Sequence, residues 1–253
     1  MKAHLCALFI GLCLPAPGQQ PKSSGAKSQA GNLKSPRTKA PTQRSASESN
    51  PPPSASGKGA YGKPAVIEVK DLKDFASLPV DRQKLISAAL AVAQESPWLP
   101  YKFGGSSPTD GGFDCSGAMF FVLSRIGIDP PRTSANQYLW LKKADRLHEV
   151  SPDVRELTHP LLKHLQPGDL LFWGPRRSPN DDHAPNITHV ALFLGQESRD
   201  GRAVMINATD GRSYRGTRAN GYGVYDFRLP KDGTRTVFMG YGTPPGIAVW
   251  GGP

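Results

Sequence analysis

Cys115 is the residue of this chain best placed to do chemistry. It stands in the run SSPTDGGFDCSG, residues 106–117, where a Gly-rich loop leads into a helix. The sequence holds three cysteines, and the other two, Cys6 and Cys13, fall in an N-terminal stretch that reads as a leader. One remaining thiol leaves no partner for a disulfide, and a single Cys is too few ligands for a zinc site. A thiol at a helix start is suited to attack a carbonyl. It then needs a lowered pKa, a base within hydrogen-bond reach, and N–H donors for the developing oxyanion. The unpaired N–H groups and positive end of the helix dipole favour first the thiolate and then the oxyanion. Asp114 opposes this, because a neighbouring carboxylate raises a thiol pKa. A cationic histidine has to outweigh it. The alternative reading of Cys115 is a small buried hydrophobe.

Six histidines compete for the role of base. His4 lies in the leader, and His148, His159 and His164 lie in a polar stretch with no apolar frame. His183 sits beside Asp181 and Asp182, but two adjacent acids and one His in a loop are a weak metal signature, so no metal and no cofactor is expected. His189 differs, because it opens the apolar strand HVALFLG and its backbone would be fixed. A second strand, AVMINATD, carries Asn207. If the two strands are neighbours, the Asn207 amide oxygen can accept from one imidazole nitrogen and leave the other facing sulfur. Cys115 and His189 are then expected as an imidazolium–thiolate pair, with the thiol titrating below its usual value of about 8.5.

These residues need rigid supports. Periodicity predicts a first helix over residues 81–94, with Asp81 as cap and Leu85, Ala88, Ala89 and Val92 on its apolar face. A second is predicted over 115–125, with Asp114 as cap and Gly127 as stop. It is apolar nearly all round, as a helix buried on several sides would be. A third is expected at 134–143, after Pro130 and Pro131. The period then changes, and residues 169–173, 188–194, 203–208, 224–228 and 236–241 read as strands. Helices followed by strands predict an α+β fold, with helices packed on an antiparallel sheet of about five strands.

Taken together, the motifs resemble the NlpC/P60 cysteine peptidases of bacterial cell walls. The blocks are PYKFGGSSP at 100–108, FDCSG at 113–117, PPRTSANQ at 130–137, LQPGDLLFW at 165–173, ITHVALFLG at 187–195 and MINA at 205–208, in the family's order. The resemblance implies a papain-like core. It implies Cys115 as nucleophile, His189 as base and Asn207 as the third polar residue, with Tyr101, Asp114 and Ser116 in the substrate groove. It also implies peptidoglycan stem peptides as substrate, most commonly at a D-γ-glutamyl bond to a diamino acid. Two departures stand out. The third position is often His in the family and is Asn here, and the segments 145–164 and 174–187 are longer than usual.

The rest of the sequence bears on compartment. Residues 1–18 combine Lys2, an apolar run from Leu5 to Leu14 and then small residues, the grammar of a signal peptide; the run is too short to span a bilayer. Export to the periplasm, cell envelope or medium is therefore expected, with no transmembrane anchor. Residues 19–63 are rich in Ser, Pro, Lys and Gly, and cannot bury enough surface to fold alone. They read as a disordered linker, with the catalytic domain over 64–253. Eight Lys and Arg against Glu48 give this linker a charge of +7, most of the chain's +10. It lacks aromatics interleaved for base stacking, so nucleic acid is not an expected partner. A solvated spacer and attachment to anionic envelope polymers are the two readings that remain. Two other functions fit the same sequence less well. One is a related thiol amidase, acyltransferase or secreted toxin with another substrate. The other is a non-catalytic wall-binding module, which has no use for Cys115 and His189.

Overall fold

The structure is a computed structural model that describes residues 61–96, 98–176 and 186–250. The expected leader, all but the last three residues of the basic linker, and His183 lie outside the described residues.

The elements run α1 Val80–Glu95, β1 Ser106–Ser107, β2 Gly112–Phe113, α2 Cys115–Arg125, α3 Ser134–Lys143, β3 Leu147–Glu149, β4 Leu170–Pro175, β5 His189–Gln196, β6 Ala203–Tyr214, β7 Thr217–Asp226 and β8 Thr236–Gly242. Strands β3 to β8 form one sheet in the order β3-β8-β4-β5-β6-β7, antiparallel at every pairing. The fold is α+β, as the order of periodicities implies. The sheet gains a sixth strand, β3, whose three residues LHE are too short and polar to read as one.

Both faces of the sheet are covered, which explains why its strands carry apolar runs rather than strict alternation. On one face Leu170, Phe172, Val190, Leu192, Val204 and Ile206 pack with Leu85, Ile86 and Ala89 of α1 and Ala118, Met119 and Val122 of α2. On the other, Leu171, Trp173, Phe193, Met205 and Tyr225 pack with Val150, Val154 and Leu162. The long polar segment around 145–164 thus supplies three apolar side chains that close a second core.

Helix α2 has the expected bounds. Asp114 caps it by accepting from the Gly117 N–H at 2.6 Å, and Gly127 leaves it at φ +87°. Gly117 is there for close approach. A Cβ on it would stand 2.0 Å from the Gly105 carbonyl oxygen, so α2 lies directly on the backbone of the Gly-rich loop. Thr133 caps α3.

Three details differ from the sequence reading. Helix α1 starts after Pro79, and Asp81 instead accepts from the N–H groups of Arg82 and Ala248. Strands β6 and β7 run far beyond 203–208 and 224–228, as one long hairpin closed at Arg215 (φ +50°) and Gly216 (φ +84°). Two consecutive positive φ values match the strand twist, so the Gly-rich, charged stretch forms strand and not loop. Finally, the chain joins the fold before residue 64. Gly62 bridges Ala219 and exchanges hydrogen bonds with Arg218 and Asn220.

Candidate active site

Cys115 is the first residue of α2, and its position is fixed from behind. Asp114 Oδ1 accepts from Gly117 N, Ser116 Oγ at 3.2 Å and Arg132 Nη1 at 3.0 Å; Oδ2 accepts from Gly104 N at 2.9 Å and Arg132 Nη2 at 2.8 Å. Five donors fill the lone pairs of one carboxylate. They hold its pKa below the usual range against the opposing effect of burial. Arg132 also donates to Ser116 Oγ and to the carbonyls of Gly104 and Gly105. Loop, cap and helix are therefore one unit. Gln137 of α3 ties into it through Nε2, which donates to the carbonyls of Ser116 and Pro131. Asp114 and Ser116 thus lie beside Cys115, buried and engaged with Arg132.

The Cys115 side chain points at the start of β5. Its Sγ lies 3.9 Å from the Thr188 carbonyl oxygen, and the Val190 N–H is near enough to the sulfur to favour the thiolate. These are the residues on either side of His189. The Asn207 amide meets His189 Nε2 at 2.6 Å through Nδ2, and its buried Oδ1 has no hydrogen-bond partner among the described residues. The two strands are neighbours, as the orienting role requires. With Nδ2 donating, the imidazole is neutral and carries its proton on Nδ1. A protonated imidazole has N–H at Nε2, so it needs the amide turned by 180° with Oδ1 accepting.

Electrostatics correct the expected ion pair. Cys115 is 6% exposed, and burial pushes its thiol up to about 11, with the Asp114 charge adding to the rise. The N–H groups of Val190, Ser116 and Cys115 pull the other way without prevailing. Burial also holds His189 well below its usual range, and the Arg212 cation adds to that effect. The thiol and the imidazole therefore both rest neutral. The helix start contributes donors, but desolvation outweighs them.

Tyr101 is half-buried before the Gly-rich loop, its N–H donating to Asn220 Oδ1 at 3.1 Å. Burial raises its phenol pKa, and Cys115 and Asp114 reinforce the rise. The other histidines serve elsewhere. His148 stacks on His164 and Tyr241, and His159 Nδ1 accepts from Leu161 N. Among the described residues, no three His, Cys, Asp or Glu side chains are grouped to hold a metal ion.

Three residues near the thiol escape sequence reasoning. Arg132 lies inside the PPRTSANQ block, but nothing in the spacing says that it grips Asp114. Trp173 belongs to a strand and reads as core; its ring centroid is 5.5 Å from that of His189. Arg212 lies in a Gly-rich charged stretch and reads as a turn. Its guanidinium stacks 4.5 Å from the Trp173 ring centroid.

The site holds a thiol, an imidazole, an amide bonded to that imidazole, and backbone N–H groups at a helix start. Together they suit acyl transfer through sulfur. Comparison with known proteins points to the same chemistry. The sequence model of the NlpC/P60 family matches residues 98–225. The probable endopeptidase p60 of Listeria seeligeri is 33% identical over 137 residues, covering 54% of this chain and 20% of that protein. The bifunctional muramidase/DL-endopeptidase CwlT of Bacillus subtilis is 32% identical over 111 residues, covering 44% and 25%. The murein DD-endopeptidase MepH of Escherichia coli is 28% identical over 127 residues, covering 50% and 41%. The match therefore spans well under half the length of each of these relatives.

Proposed function

The chain belongs to the NlpC/P60 family, and from that premise we propose that it is a cysteine endopeptidase cutting amide bonds in peptidoglycan stem peptides, at a D-γ-glutamyl bond to a diamino acid. The observation that carries the reading is the seating of the Cys115 sulfur against Thr188 and Val190, on both sides of an imidazole already held by Asn207.

In this reading His189 acts as general base at the moment of attack. With the Asn207 amide turned so that Oδ1 accepts from Nε2–H, the free Nδ1 takes the Cys115 proton as Sγ bonds to the scissile carbonyl carbon. The carbonyl oxygen becomes an oxyanion, met by N–H groups at the start of α2. The imidazolium is stabilised by the Asn207 amide oxygen and then protonates the leaving amine, so that the C–N bond breaks and a thioester remains. Water attacks the thioester with His189 again as base, the carboxylate leaves, and the proton returns to sulfur. Tyr101 forms one wall of the groove. Asp114 and Ser116 form the floor beside the nucleophile and hold it through Arg132.

Residues 1–18 direct export, and the enzyme works in the envelope or outside the cell. The basic segment 19–63 adds attraction to anionic envelope polymers. No described helix is long and apolar enough to cross a membrane.

The test is a digest of a defined muropeptide by the wild-type protein and by Cys115→Ala, with products weighed by mass spectrometry. New amine and carboxyl termini at the γ-glutamyl bond, made by the wild type alone, support the reading. Cleavage at a D,D bond, or acyl transfer to an amine in place of water, replaces it.

A further inference from the structure

Arg212 stands beside the site and has no task in the proposed chemistry. It stands on β6 where the register slips. Asp210 faces Asn220 and Ser213 faces Arg218, so the two residues Gly211 and Arg212 share a span that holds only Ala219 on β7. An extra residue on one strand is a bulge, and bulges re-aim the side chains they carry. Gly211 supplies the backbone for it at φ +109°; a Cβ there would come within 2.8 Å of the Arg218 guanidinium.

The bulge brings the Arg212 guanidinium over the indole of Trp173, whose ring also meets those of His189, Phe227 and Phe238. The guanidinium is also within electrostatic reach of the Cys115 sulfur. Burial lowers its pKa to about 10, so it remains a cation at neutral pH.

Other guanidiniums packed into this fold have anionic or carbonyl partners, and Arg146 donates to the carbonyls of Pro244 and Ile247. Arg82 pairs with Asp169, Arg132 with Asp114, Arg215 with Glu197 and Arg202 with Asp226. Arg212 makes no ion pair and no hydrogen bond among the described residues; only the indole face and nearby charges meet it. Arg212 is half-buried, and a cation that gives up part of its hydration with no counter-ion among the described residues is costly. The stack on Trp173 offsets part of that cost and fixes the guanidinium plane, leaving its N–H edge free.

We propose that Arg212 anchors a carboxylate of the substrate, namely the free α-carboxylate that a γ-linked glutamyl residue carries a short alkyl chain away from its scissile carbonyl. This rests on the peptidase reading above. A γ-linkage uses the side-chain carbonyl and leaves the α-carboxyl group ionised, whereas an ordinary peptide bond has no obligatory anion there. A planar guanidinium takes such a carboxylate through two parallel N–H···O bonds. An α-carboxamide in the same place would turn its own N–H donors toward the guanidinium. The docked carboxylate would also offset the cation that disfavours protonation of His189, so the base becomes competent once the right substrate is seated.

The experiment uses the full chain and two synthetic peptides, L-Ala-γ-D-Glu-diamino acid and its α-carboxamide analogue. Wild type should favour the free acid by roughly tenfold to a hundredfold in kcat/KM, the range of a hydrogen bond to a charged group, with much of the gain in KM. Arg212→Gln should lose that factor on the free acid and stay within about threefold of wild type on the amide. Arg212→Lys should fall between. Equal turnover of both peptides by wild type overturns the anchor, as does an equal loss on both in Arg212→Gln. If Arg212→Gln melts early, the wild-type comparison and Arg212→Lys decide the matter.

Calorimetric binding to the Cys115→Ala chain separates this proposal from the one it rests on. Tighter binding of the free acid without turnover in wild type leaves the anchor standing and removes the peptidase reading. Equal binding of both peptides removes the anchor.

Discussion

At the scale of the residue, the site turns on three side chains whose losses should differ. Cys115→Ser should abolish hydrolysis of labelled peptidoglycan while leaving the melting temperature nearly unchanged, because the two side chains differ little in volume. More than a few per cent of wild-type activity would remove sulfur from the mechanism. Asn207→Ala should cost roughly tenfold to a thousandfold in kcat, since an orienting group usually contributes less than the base it orients. Asn207→His, which keeps an acceptor, should recover most of that loss. Full turnover by the alanine variant would mean that another group holds the imidazole. The neutral resting pair gives a separate pH signature. Alkylation of Cys115 by iodoacetamide should be slow at neutral pH and rise toward the thiol pKa of about 11. A plateau already reached below about 8.5 would restore the ion pair. The depressed pKa of His189 sets the acid side of stability. Below about pH 6.5 the unfolded chain binds a proton at this residue that the folded chain refuses, so unfolding becomes easier as pH falls. In His189→Gln the fall between about pH 6.5 and 5 should be shallower, read by urea unfolding at each pH.

At the scale of the element, α1 is locked to the sheet by a buried ion pair. Arg82 is 0% exposed and donates to Asp169 Oδ1 at 3.1 Å, Thr243 Oγ1 at 2.7 Å, and the carbonyls of Pro167 and Ala248. Arg82→Met should lower the unfolding free energy by about 3–5 kcal/mol, because it strands the Asp169 carboxylate in the core. Replacing Asp169 by Leu in the same chain should recover part of the loss; both are measured by denaturant titration. A cost below about 1 kcal/mol for Arg82→Met would show that water reaches Asp169. Nothing in the pattern around Arg82 announces this role, since an Arg near a helix start usually faces solvent. Elements whose ends carry local signals were legible from the chain alone. Asp114 and Gly127 bracket α2, and prolines 130 and 131 precede α3, so both helices were placed to the residue. The apolar hearts of β4, β5 and β8 were legible for the same reason. The outer half of the β6–β7 hairpin was not, because its glycines and arginines spell a turn until Tyr61–Lys63, Glu197 and Trp173 are brought against it. Arg132 and Arg212 were missed on similar grounds. What they touch lies far away in sequence, and only tertiary packing makes either of them part of the site.

At the scale of the whole molecule, charge is divided unevenly. Residues 19–63 carry +7 of the chain's +10, so their attraction to a polyanionic wall should be long-range and screened by salt. A protein beginning at Tyr61 keeps the Gly62 bridge to β7. It should sediment less with insoluble, polymer-bearing peptidoglycan than the full chain at low salt. The difference should vanish near about 0.5 M salt, where screening reaches only a few Å. Turnover of a small soluble muropeptide should be the same for both, and unequal turnover would place part of the basic segment in the site. The central claim is that Cys115 carries the acyl group of a γ-glutamyl bond, and trapping that species tests it most directly. A γ-D-glutamyl muropeptide is mixed with the full chain, quenched in acid within one turnover, and the protein is digested and weighed. The mass of the L-Ala-γ-D-Glu acyl group should appear on the peptide containing Cys115, be lost on treatment with hydroxylamine and be absent from Cys115→Ala. Substrate cleaved by wild type with no adduct, and cleaved equally by Cys115→Ala, would contradict it.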